Sequence, residues 1–494
     1  MHGAVDVLVV GAGPTGLALA CDLARRGVRA HVVEAAARPF PGSRGKGLQP
    51  RTQEVLDDLG VMAALQAAGG PFPPMQTWRD GRRQGEWRLI EQDPDAPASR
   101  YPGPWMVPQW RTQEILRDRF LALGGSVEYG TRFTSLHQTD RHVLAELAHP
   151  DGSRRTLTVP YLVGADGGRS TVRESLGVAM KGGADDLRPS LVADVRVRDL
   201  DRDHWHIWPD APGGPLLLCP LPGTDDFQLS ARTDIEDPEP APEAVRALIA
   251  ARTHLPADAV TDVGWVSGYR PRTALAERFR EGRVLLAGDA AHVHPPGGGQ
   301  GLNIGVQDAY NLGWKLGQVI RHHAPPALLD SYEAERQPAA AAVLELSTRL
   351  YRAGRRPEGG SAEARERGRV THQLSAHYRD STLSTETRER LSPAAAQAGD
   401  RAPDLPCATP DGGTRRLFEL LKGPHFTLLA VGCPPPGTPS DIRTHQVTDC
   451  PLADELGRGL FLIRPDGHIG LATRDPAYLA RYLAKVGFQV PAAL

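Results

Sequence analysis

The stretch VDVLVVGAGPTGLALACDL, residues 5–23, decides the fold of the N-terminal part of the chain. Its Val-rich run predicts a strand, its glycines predict a tight turn, and the apolar-periodic residues after them predict a helix. In a dinucleotide-binding unit Gly11 permits the sharp turn, Gly13 lets the backbone approach a pyrophosphate, and Gly16 lets the helix pack close to the strand. Thr15 lies at the start of the helix, where free N–H groups attract phosphate.

A glutamate ends the second predicted strand, residues 29–34. Glu34 follows Gly11 by 23 positions, near the place where such units bind ribose hydroxyls with an acid. At about 4 Å and an effective dielectric near 20, its charge would oppose a 2′-phosphate by roughly 4 kcal/mol. We therefore expect the AMP half of FAD in this pocket rather than NADPH. Taken alone, the motif is also typical of a glycine turn in any βαβ unit with a solvated glutamate after it.

Length, net charge and cysteine content limit the classes of protein to which the chain can belong. The 494 residues are enough for two or three domains. A formal net charge of −2 without basic blocks argues against a nucleic acid or an anionic membrane as partner. The five cysteines form no C-x-x-C pair, and their odd number favours a reduced, cytoplasmic chain over a disulfide framework. With no signal peptide and no apolar span near the N-terminus, neither secretion nor membrane insertion is expected.

A second glycine segment, GADGGRSTVR, occupies residues 164–173. The apolar residues 161–165 predict a buried strand that leads into it. Asp166 can then accept hydrogen bonds from a ligand, while Ser170 can cap the following helix. By spacing alone, a plain Gly-Asp turn with a capped helix explains the segment equally well.

The third segment, GDAAHVHPPGGGQGLN, occupies residues 288–303 and is the most specific. A buried strand over residues 284–287 is predicted before it, which places Asp289 at the carboxyl end of that strand. The glycines then open a helix whose start holds Leu302 and Asn303. N–H groups at such a start can meet an anion, and for a flavin that anion is the N1/C2-carbonyl edge of the reduced ring. Asp289 is then free to hold ribityl or pyrophosphate-side groups.

His292 and His294 lie two residues apart with Asp289 near, which raises the question of a metal site. No other His or Cys cluster in the sequence offers a third ligand. We interpret both histidines as packing or loop polar groups, and no metal is expected.

A different pattern follows the second segment. The alternating runs 191–197 and 216–218 predict an antiparallel sheet rather than further nucleotide-binding units. Between these runs lies a stretch of ring side chains. It would wall a substrate pocket, or it would fill a second core, and the two interpretations carry equal weight. The rings are those of His204, Trp205, His206 and Trp208.

Taken in order, these segments resemble the class A flavoprotein monooxygenases, the aromatic hydroxylases that include para-hydroxybenzoate hydroxylase. The likeness covers about residues 4–345. Besides GAGPTG with Glu34 and GADGGRSTVR, it includes SRGKGLQPRTQEVLDDLG from Ser43, GRVLLAGDAAHVHPPGGGQGLNIGVQDAYNLGWKL from Gly282 and SYEAERQP from Ser331. The segments GDRAPD from Gly399 and FLIRPDGHIGLA from Phe461 are similar to the C-terminal part of the branch that hydroxylates phenols and polyketides.

The resemblance implies an α/β fold: a Rossmann-like FAD-binding domain with an inserted antiparallel β-sheet substrate domain and a C-terminal thioredoxin-like domain. The FAD-binding domain would take residues 1–180, with small inserted strands, and residues 276–398, with a helical connector. The substrate domain would take residues 181–275 and the thioredoxin-like domain residues 399–494. Because this last domain lacks a redox C-x-x-C, we expect it to be structural or to form an oligomer contact, as in a homodimer.

The resemblance also implies site residues for tightly bound, non-covalent FAD. Glu34 would bind the adenosine ribose, Arg44 and Gln109 the pyrophosphate and ribityl regions, and Asp166 both FAD and the transient nicotinamide. The loop of Pro295, Pro296, Gly297 and Gly298 would lie beside the reacting flavin ring. The complete cofactor set is Gly11, Gly13, Thr15, Gly16, Glu34, Arg44, Gln109, Asp166, Asp289, Gly301, Leu302 and Asn303.

The implied activity is hydroxylation of a phenolic small molecule, such as an aromatic polyketide in antibiotic biosynthesis, with NADPH or NADH, O2 and a C4a-hydroperoxyflavin. The cofactor carries this chemistry, so no nucleophile triad is needed. Gln300 stands where the para-hydroxybenzoate branch has a lysine, which argues for a different substrate, and no tyrosine pair that would deprotonate a phenol is found. Baeyer–Villiger oxygenation of a polyketide ketone, and a flavin-binding protein without oxygenase turnover, remain alternatives.

Overall fold

The computed structural model describes residues 5–94, 96, 98–182, 189–233, 240–353, 361–389, 391, 395–408, 413–448 and 450–489. No helix in these ranges is long and apolar enough to cross a membrane. The helices are α1 (Pro14–Arg25), α2 (Pro50–Asp58), α3 (Met62–Ala67), α4 (Gln109–Ala122), α5 (Thr171–Ser175), α6 (Pro242–Arg252), α7 (Gly301–Arg321), α8 (Asp330–Ala353), α9 (Ser361–Thr371), α10 (Leu417–Leu421), α11 (Pro451–Leu456) and α12 (Pro476–Lys485).

The strands are mostly short. They are β1 (Val7–Val10), β2 (Ala30–Glu34), β3 (Gly47–Leu48), β4 (Gly70–Pro71), β5 (Met75–Arg79), β6 (Arg82–Trp87), β7 (Trp105–Met106), β8 (Val127–Tyr129), β9 (Arg132–Gln138), β10 (Val143–Ala148), β11 (Arg154–Val159), β12 (Tyr161–Gly164), β13 (Met180–Lys181), β14 (Ser190–Val197), β15 (Trp205–Trp208), β16 (Leu216–Pro220), β17 (Asp226–Arg232), β18 (Val260–Tyr269), β19 (Ala274–Ala276), β20 (Arg280–Glu281), β21 (Val284–Leu286), β22 (His292–Val293), β23 (Thr385–Glu386), β24 (Pro406–Ala408), β25 (Thr414–Arg416), β26 (Phe426–Val431), β27 (Ile442–Val447), β28 (Gly459–Ile463) and β29 (Ile469–Thr473).

The first sheet carries the three glycine segments. Its strand order is β20-β21-β12-β1-β2-β8, and all neighbours are parallel except β20 and β21. Its central strands are the three apolar runs predicted from the sequence, and Val7, Val9 and Val163 are fully buried. Because parallel strands end at the same edge, the segments after β1, β12 and β21 emerge side by side.

The predicted antiparallel sheet is also present, with seven strands in the order β18-β14-β17-β16-β15-β5-β6. Only β15 and β5 pair in parallel. Trp208 and Leu218 point to one face and pack in a core with α6, whereas Trp205 and Leu217 point to the other face. The rings predicted from the sequence therefore divide between the core against α6 and a smaller buried apolar cluster on the opposite face of the sheet.

A third large sheet follows in the C-terminal part of the chain. Its five strands lie in the order β23-β29-β28-β26-β27, with β26 parallel to β27 and antiparallel to β28. Phe426 of β26 packs edge-on against Trp314 of α7, with ring centroids 5.5 Å apart. The C-terminal sheet is thus in direct contact with the helix that starts at the third glycine segment.

Candidate active site

The turn after β1 has the geometry that its glycines predict. Gly11 has a φ of +106°, and a Cβ on it would lie 2.4 Å from the carbonyl oxygen of Ala165. A Cβ on Gly16 would lie 2.0 Å from the carbonyl oxygen of Gly11. A Cβ on Gly13, by contrast, would meet nothing within 4 Å. Two glycines are therefore needed for packing, while the third borders open space at the N-terminus of α1.

Glu34 faces this turn from the end of β2. Its carboxylate accepts hydrogen bonds from the backbone N–H of Ala12 and of Ala36, both at 2.9 Å. Each carboxylate oxygen keeps lone-pair capacity for a further donor. The side chain is held in place by backbone groups and can still accept a hydrogen bond from a hydroxyl group.

Thr15 connects the first glycine segment with the third. A Cβ on Gly288 would lie 2.6 Å from the Thr15 Oγ1, and a Cβ on Gly305 of α7 would lie 2.4 Å from it. Asp289, which follows Gly288, is exposed, and no hydrogen bond or ion pair joins its side chain to another described residue. The structure therefore brings the two segments together and leaves one carboxylate free beside them.

The glycine loop before α7 is a short 3-10 turn, Gly297–Gly299. A Cβ on Gly297 would lie 2.1 Å from the Ser347 carbonyl oxygen, which packs the loop against α8. Gly299 has a φ of +64° and borders open space, since a Cβ there would meet nothing within 4 Å. Of the two prolines, Pro295 is buried and Pro296 is exposed. The start of α7, with Gly301 and Leu302, offers its free N–H groups on this side.

The Asn303 side chain is bound by the protein, so a contact with the cofactor remains for its backbone N–H. Its side chain is fully buried, and Oδ1 accepts a hydrogen bond from the Gln49 N–H at 2.7 Å. Nδ2 donates to the carbonyl oxygens of Gly47 (2.8 Å) and Gly299 (2.7 Å). Because the amide is satisfied by the protein, Asn303 clamps β3 to the glycine loop and positions the loop.

The segment from Ser43 to Lys46 lies between the two sheets. The Gly45 N–H donates to Gln109 Oε1 at 2.8 Å, and Gln109 Nε2 donates to Gln113 Oε1 at 3.0 Å. A Cβ on Gly45 would lie 3.6 Å from Leu302, so this segment also reaches the start of α7. Three residues expected near the pyrophosphate and the ring, Arg44, Gln109 and Leu302, thus come together.

Arg44 is exposed and contacts the seven-stranded sheet. Its Nη2 donates to the Ser267 Oγ at 3.0 Å, and its guanidinium lies 5.7 Å from the centroid of the Phe40 ring. A Cβ on Gly42 would lie 2.0 Å from the Trp265 ring, so the whole segment is packed tightly on β18. The segment therefore joins the seven-stranded sheet to the helices α4 and α7.

Asp166 lies at the end of β12, beside Gly11. Its carboxylate accepts hydrogen bonds from the Ser170 hydroxyl (2.6 Å) and the Val172 N–H (3.1 Å), so it caps α5. Burial raises its pKa above the usual range for an aspartate. Asp166 and Ser170 therefore form the capped turn that the sequence allowed as an alternative. This turn lies at the same edge of the sheet as the other two segments.

The two histidines of the third segment have different surroundings. A Cβ on Gly301 would lie 3.3 Å from the His294 ring, so His294 borders the start of α7, whereas His292 is paired inside the protein. His292 Nε2 lies 2.6 Å from the Asp308 Oδ2 in a fully buried pair, and Arg336 Nε donates to the same carboxylate at 2.7 Å. Burial would raise the pKa of Asp308, but His292 and Arg336 outweigh it and hold the pKa low. Among the described residues, no His, Cys, Asp or Glu group has the arrangement of a metal site.

Gln300 is enclosed by protein. Its amide nitrogen donates to the carbonyl oxygens of Gly298 (2.8 Å) and Thr371 (3.3 Å), and its oxygen accepts from Gln373 Nε2 at 2.5 Å. A lysine at this position would place an ammonium group among these partners. The uncharged amide instead ties the glycine loop to the end of α9.

Sequence reasoning missed one acid on the sheet face that carries Trp205. Asp194 of β14 is 5% exposed, and burial raises its pKa to about 7. The only sequence signal is a single carboxylate in the apolar run LVADV.

The groove residues fit FAD. A Cβ on Gly13 or on Gly299 would meet no protein atom within 4 Å, so the backbone is open to a ligand at both places. Glu34 is hydrogen-bonded to the Ala12 N–H of the first turn, and Asp289 is exposed beside Gly288, which packs near Thr15. Backbone N–H groups at the starts of α1 and α7 suit a pyrophosphate and an anionic ring edge.

Comparisons with known proteins agree with this geometry. Residues 4–347 match the family model of the FAD binding domain. A flavin-dependent monooxygenase of Mycobacteroides abscessus is 43% identical over 489 residues, covering 98% of this chain and 100% of that protein. The 12-dehydrotetracycline 5-monooxygenase/anhydrotetracycline 6-monooxygenase of Streptomyces rimosus is 35% identical over 491 residues, covering 94% of each chain.

Among solved structures, the ternary complex of aklavinone-11 hydroxylase with FAD and aklavinone superposes with a TM-score of 0.82. It is 29% identical, and the match covers 99% of this chain and 100% of that one. The mixed α/β architecture is therefore that of FAD-dependent hydroxylases. The chain belongs to the class A flavoprotein monooxygenases and is an FAD-dependent enzyme of that family.

Proposed function

We propose that this monooxygenase hydroxylates the phenolic ring of an aromatic polyketide with NADPH or NADH and O2. The observation that carries the proposal is the apolar face of the seven-stranded sheet, which the segment 43–46 joins to the start of α7. Trp205, Ile207 and Leu217 form this face together with Met75, and Met106 of β7 packs against them. Flat apolar side chains suit a fused aromatic substrate. The relatives that act on anhydrotetracycline and aklavinone support the same class.

The cofactor would lie across the edge of the first sheet. Glu34 would accept hydrogen bonds from the adenosine ribose, and the N–H groups around Gly13 would meet the pyrophosphate. Asp289 would bind the ribityl side, and the N–H groups at Gly301 and Leu302 would face the anionic edge of the ring. Thr15, Gln109, Asp166 and Asn303 would act by fixing the loops that make these contacts.

Bound FAD supplies the reduction of O2 and the transfer of one oxygen atom to the substrate. The chain must orient the substrate and exclude water. The apolar sheet face serves the second need, since it has few groups that would hold water. The dipole of α7 stabilises negative charge on the ring without a mobile side chain.

We propose the domain limits 1–180, 181–275, 276–398 and 399–494, and a thioredoxin-like fold for the last. The mixed five-stranded sheet with α12 supports that fold. The strands β5 and β6 belong to the seven-stranded sheet although they come from the first range. None of the five cysteines forms a disulfide, which supports a reducing, cytoplasmic setting. A homodimer through the last domain is part of the proposal.

The experiment is to purify the protein, record its flavin spectrum, and follow NADPH and NADH consumption with phenols and anthraquinone-like polyketides. We expect a two-band spectrum and consumption that a phenol accelerates. A colourless protein that takes up no FAD, or a rate indifferent to every aromatic added, would contradict the proposal. The product mass and a ring-opening test distinguish hydroxylation from Baeyer–Villiger oxygenation, and a flavin protein without turnover shows no acceleration.

The variant Asp289→Ala tests the cofactor assignment. Because this side chain has no hydrogen-bond or ion-pair partner among the described residues, its loss should leave the unfolding temperature of the apoprotein unchanged, while the holoenzyme should release FAD. Asp308→Asn is the contrasting variant, since Asp308 is paired with His292 and Arg336. Asp308→Asn should therefore lower the unfolding temperature of the apoprotein itself. Asp289→Ala with normal FAD affinity would show that the assignment is wrong.

A further inference from the structure

Asp194 is a buried carboxylate on the face of the seven-stranded sheet that carries Trp205. Its neighbours Ala193 and Val195 belong to the core against α6, so Asp194 points to the opposite side. Neither of its oxygens has a hydrogen-bond partner of ordinary geometry among the described residues, although the Ser43 hydroxyl and N–H lie nearby. A buried carboxylate without full partners is costly, and a donor from a ligand would relieve that cost.

The groups around Asp194 come from three elements. Gln228 lies directly opposite it on β17, accepts a hydrogen bond from the Lys46 ammonium and donates to the Ser43 carbonyl oxygen. The same ammonium lies 4.5 Å from the centroid of the Trp205 ring. The ammonium therefore links the polar side of this face to its apolar side.

The charges that act on Asp194 are Lys46 from the loop and Asp226 from β17. Asp226 is partly neutralised by Arg196 of β14, whose Nη2 lies 3.2 Å from the Asp226 Oδ1. A further cation, Arg44, donates a hydrogen bond to Ser267 of β18. Burial raises the pKa of Asp194 to about 7, Ser43 and Lys46 oppose the rise, and Asp226 adds to it. A carboxyl group that ionises near neutral pH is well matched to accept a proton.

An aromatic ring against the apolar wall of Trp205, Ile207 and Leu217 would bring a ring substituent toward this acid and ammonium. A hydroxyl group can donate to the carboxylate and, once ionised, accept from the ammonium. Few other substituents satisfy both groups. The arrangement thus fits a phenol better than an ether or a ketone.

We propose that Asp194 accepts the proton of a phenolic hydroxyl group of the substrate, and that Lys46 stabilises the phenolate oxygen. The phenol O–H bond breaks, an O–H bond forms on the carboxylate, and the electron pair stays on the phenolate oxygen. The ring carbons ortho and para to that oxygen thereby become more electron-rich, which an electrophilic oxygen transfer requires. This inference rests on the proposed function and assigns its substrate base.

The first test is the pH profile of 2-naphthol-stimulated NADPH oxidation by the holoenzyme. Because the base must be ionised, kcat/KM should rise with pH through about 7 and level off above it. Asp194→Asn should remove this rise and lower kcat/KM at pH 8 by about a hundredfold. In the control Asp226→Asn, loss of a like charge lowers the pKa of Asp194, so the rise should persist at lower pH. Lys46→Met should move it to higher pH.

The second test measures binding without turnover. Flavin absorbance of the holoenzyme is titrated with 2-naphthol and with its methyl ether. The wild type should prefer the naphthol by about tenfold, and Asp194→Asn should bind both alike. An unchanged pH profile or preference in Asp194→Asn, or no preference in the wild type, overturns the inference. Loss of FAD from Asp194→Asn also overturns it, in favour of a role in holding the Ser43 loop.

The two proposals fail in different ways. If no phenol accelerates NADPH oxidation by the wild type, the proposed function fails, whatever the variants do. If 2-naphthol accelerates it and Asp194→Asn behaves as the wild type, only the base assignment fails.

Discussion

The cofactor groove and the seam between α7, α8 and the C-terminal sheet are built in opposite ways. The groove has open space beside Gly13 and Gly299 and an unpaired carboxylate at Asp289. In the seam, Glu335 accepts from Lys315 Nζ at 2.7 Å and from Arg464 Nη1 at 2.6 Å, all fully buried. Polar groups that would bind a ligand have no partner within the protein, whereas the charged groups of the seam are paired with one another.

The seam joins parts of the chain that are far apart in sequence. Asp466 pairs with Arg464 and accepts from the Trp314 indole N–H at 3.0 Å. Burial lowers the pKa of Lys315 to about 8, while the carboxylate of Glu335 opposes that change. Each charge there depends on a partner from another element, so the loss of one member leaves another buried alone.

The largest effect is expected from Arg464→Met. It leaves Glu335 and Asp466 buried without their main cation, which should lower the free energy of unfolding by about 3–5 kcal/mol. Urea unfolding followed by intrinsic fluorescence measures it. The control is Lys315→Met, which leaves Arg464 on Glu335 and removes an ammonium that is costly to bury, so its effect should be clearly smaller. Equal losses would show that the seam is not organised around Arg464.

Within the glycine turn, two matched variants separate packing from binding. Gly16→Ala would place a Cβ 2.0 Å from the Gly11 carbonyl oxygen, so it should cost about 1–3 kcal/mol of stability. Gly13→Ala meets no protein atom within 4 Å and should leave the unfolding free energy of the apoprotein unchanged. Its methyl group would instead intrude where the pyrophosphate is proposed, and FAD affinity should fall by about tenfold or more. If Gly13→Ala binds FAD normally, the pyrophosphate does not lie beside Gly13 and the proposed position of the cofactor is wrong.

The smallest effect is expected from Glu34→Gln. The amide keeps one acceptor oxygen, but its NH2 group would face one of the two backbone donors, Ala12 or Ala36. FAD affinity, measured by flavin fluorescence, should fall about tenfold, and the apoprotein should lose about 1 kcal/mol. The matched variant Glu34→Asp keeps the negative charge but has a side chain that is one methylene shorter. If Glu34→Gln changes neither quantity, the ribose assignment fails.

The sequence was most informative where structure depends on neighbours in the chain. The strands β1, β12 and β21 and the glycine segments after them follow from local patterns, and their meeting follows from the rule for parallel strands. The local pattern placed Asn303 at the start of α7, where its N–H can face a ligand. It did not reveal that the side-chain amide is bound by Gln49 and Gly47, more than 250 positions away.

Long-range charges were the hardest to foresee. Arg51 is buried, pairs with Glu54 and donates a hydrogen bond to the Asp466 carbonyl oxygen of the C-terminal part. Asp194 is a single acid in an apolar strand, and such a residue is ordinarily placed toward solvent. Whether a charge is exposed depends on what packs over it, and that is decided by tertiary structure.

The order of strands in the first sheet has a consequence for synthesis of the protein. When the ribosome has released the first 180 residues, β12 has its partner β1 on one side but an open edge on the other. The strand that closes this edge, β21, follows β12 by about 120 residues, after the strands β14 to β18 of the seven-stranded sheet. Nascent chains and N-terminal fragments therefore expose a flat apolar edge that invites aggregation, and the coenzyme can be captured only late in translation.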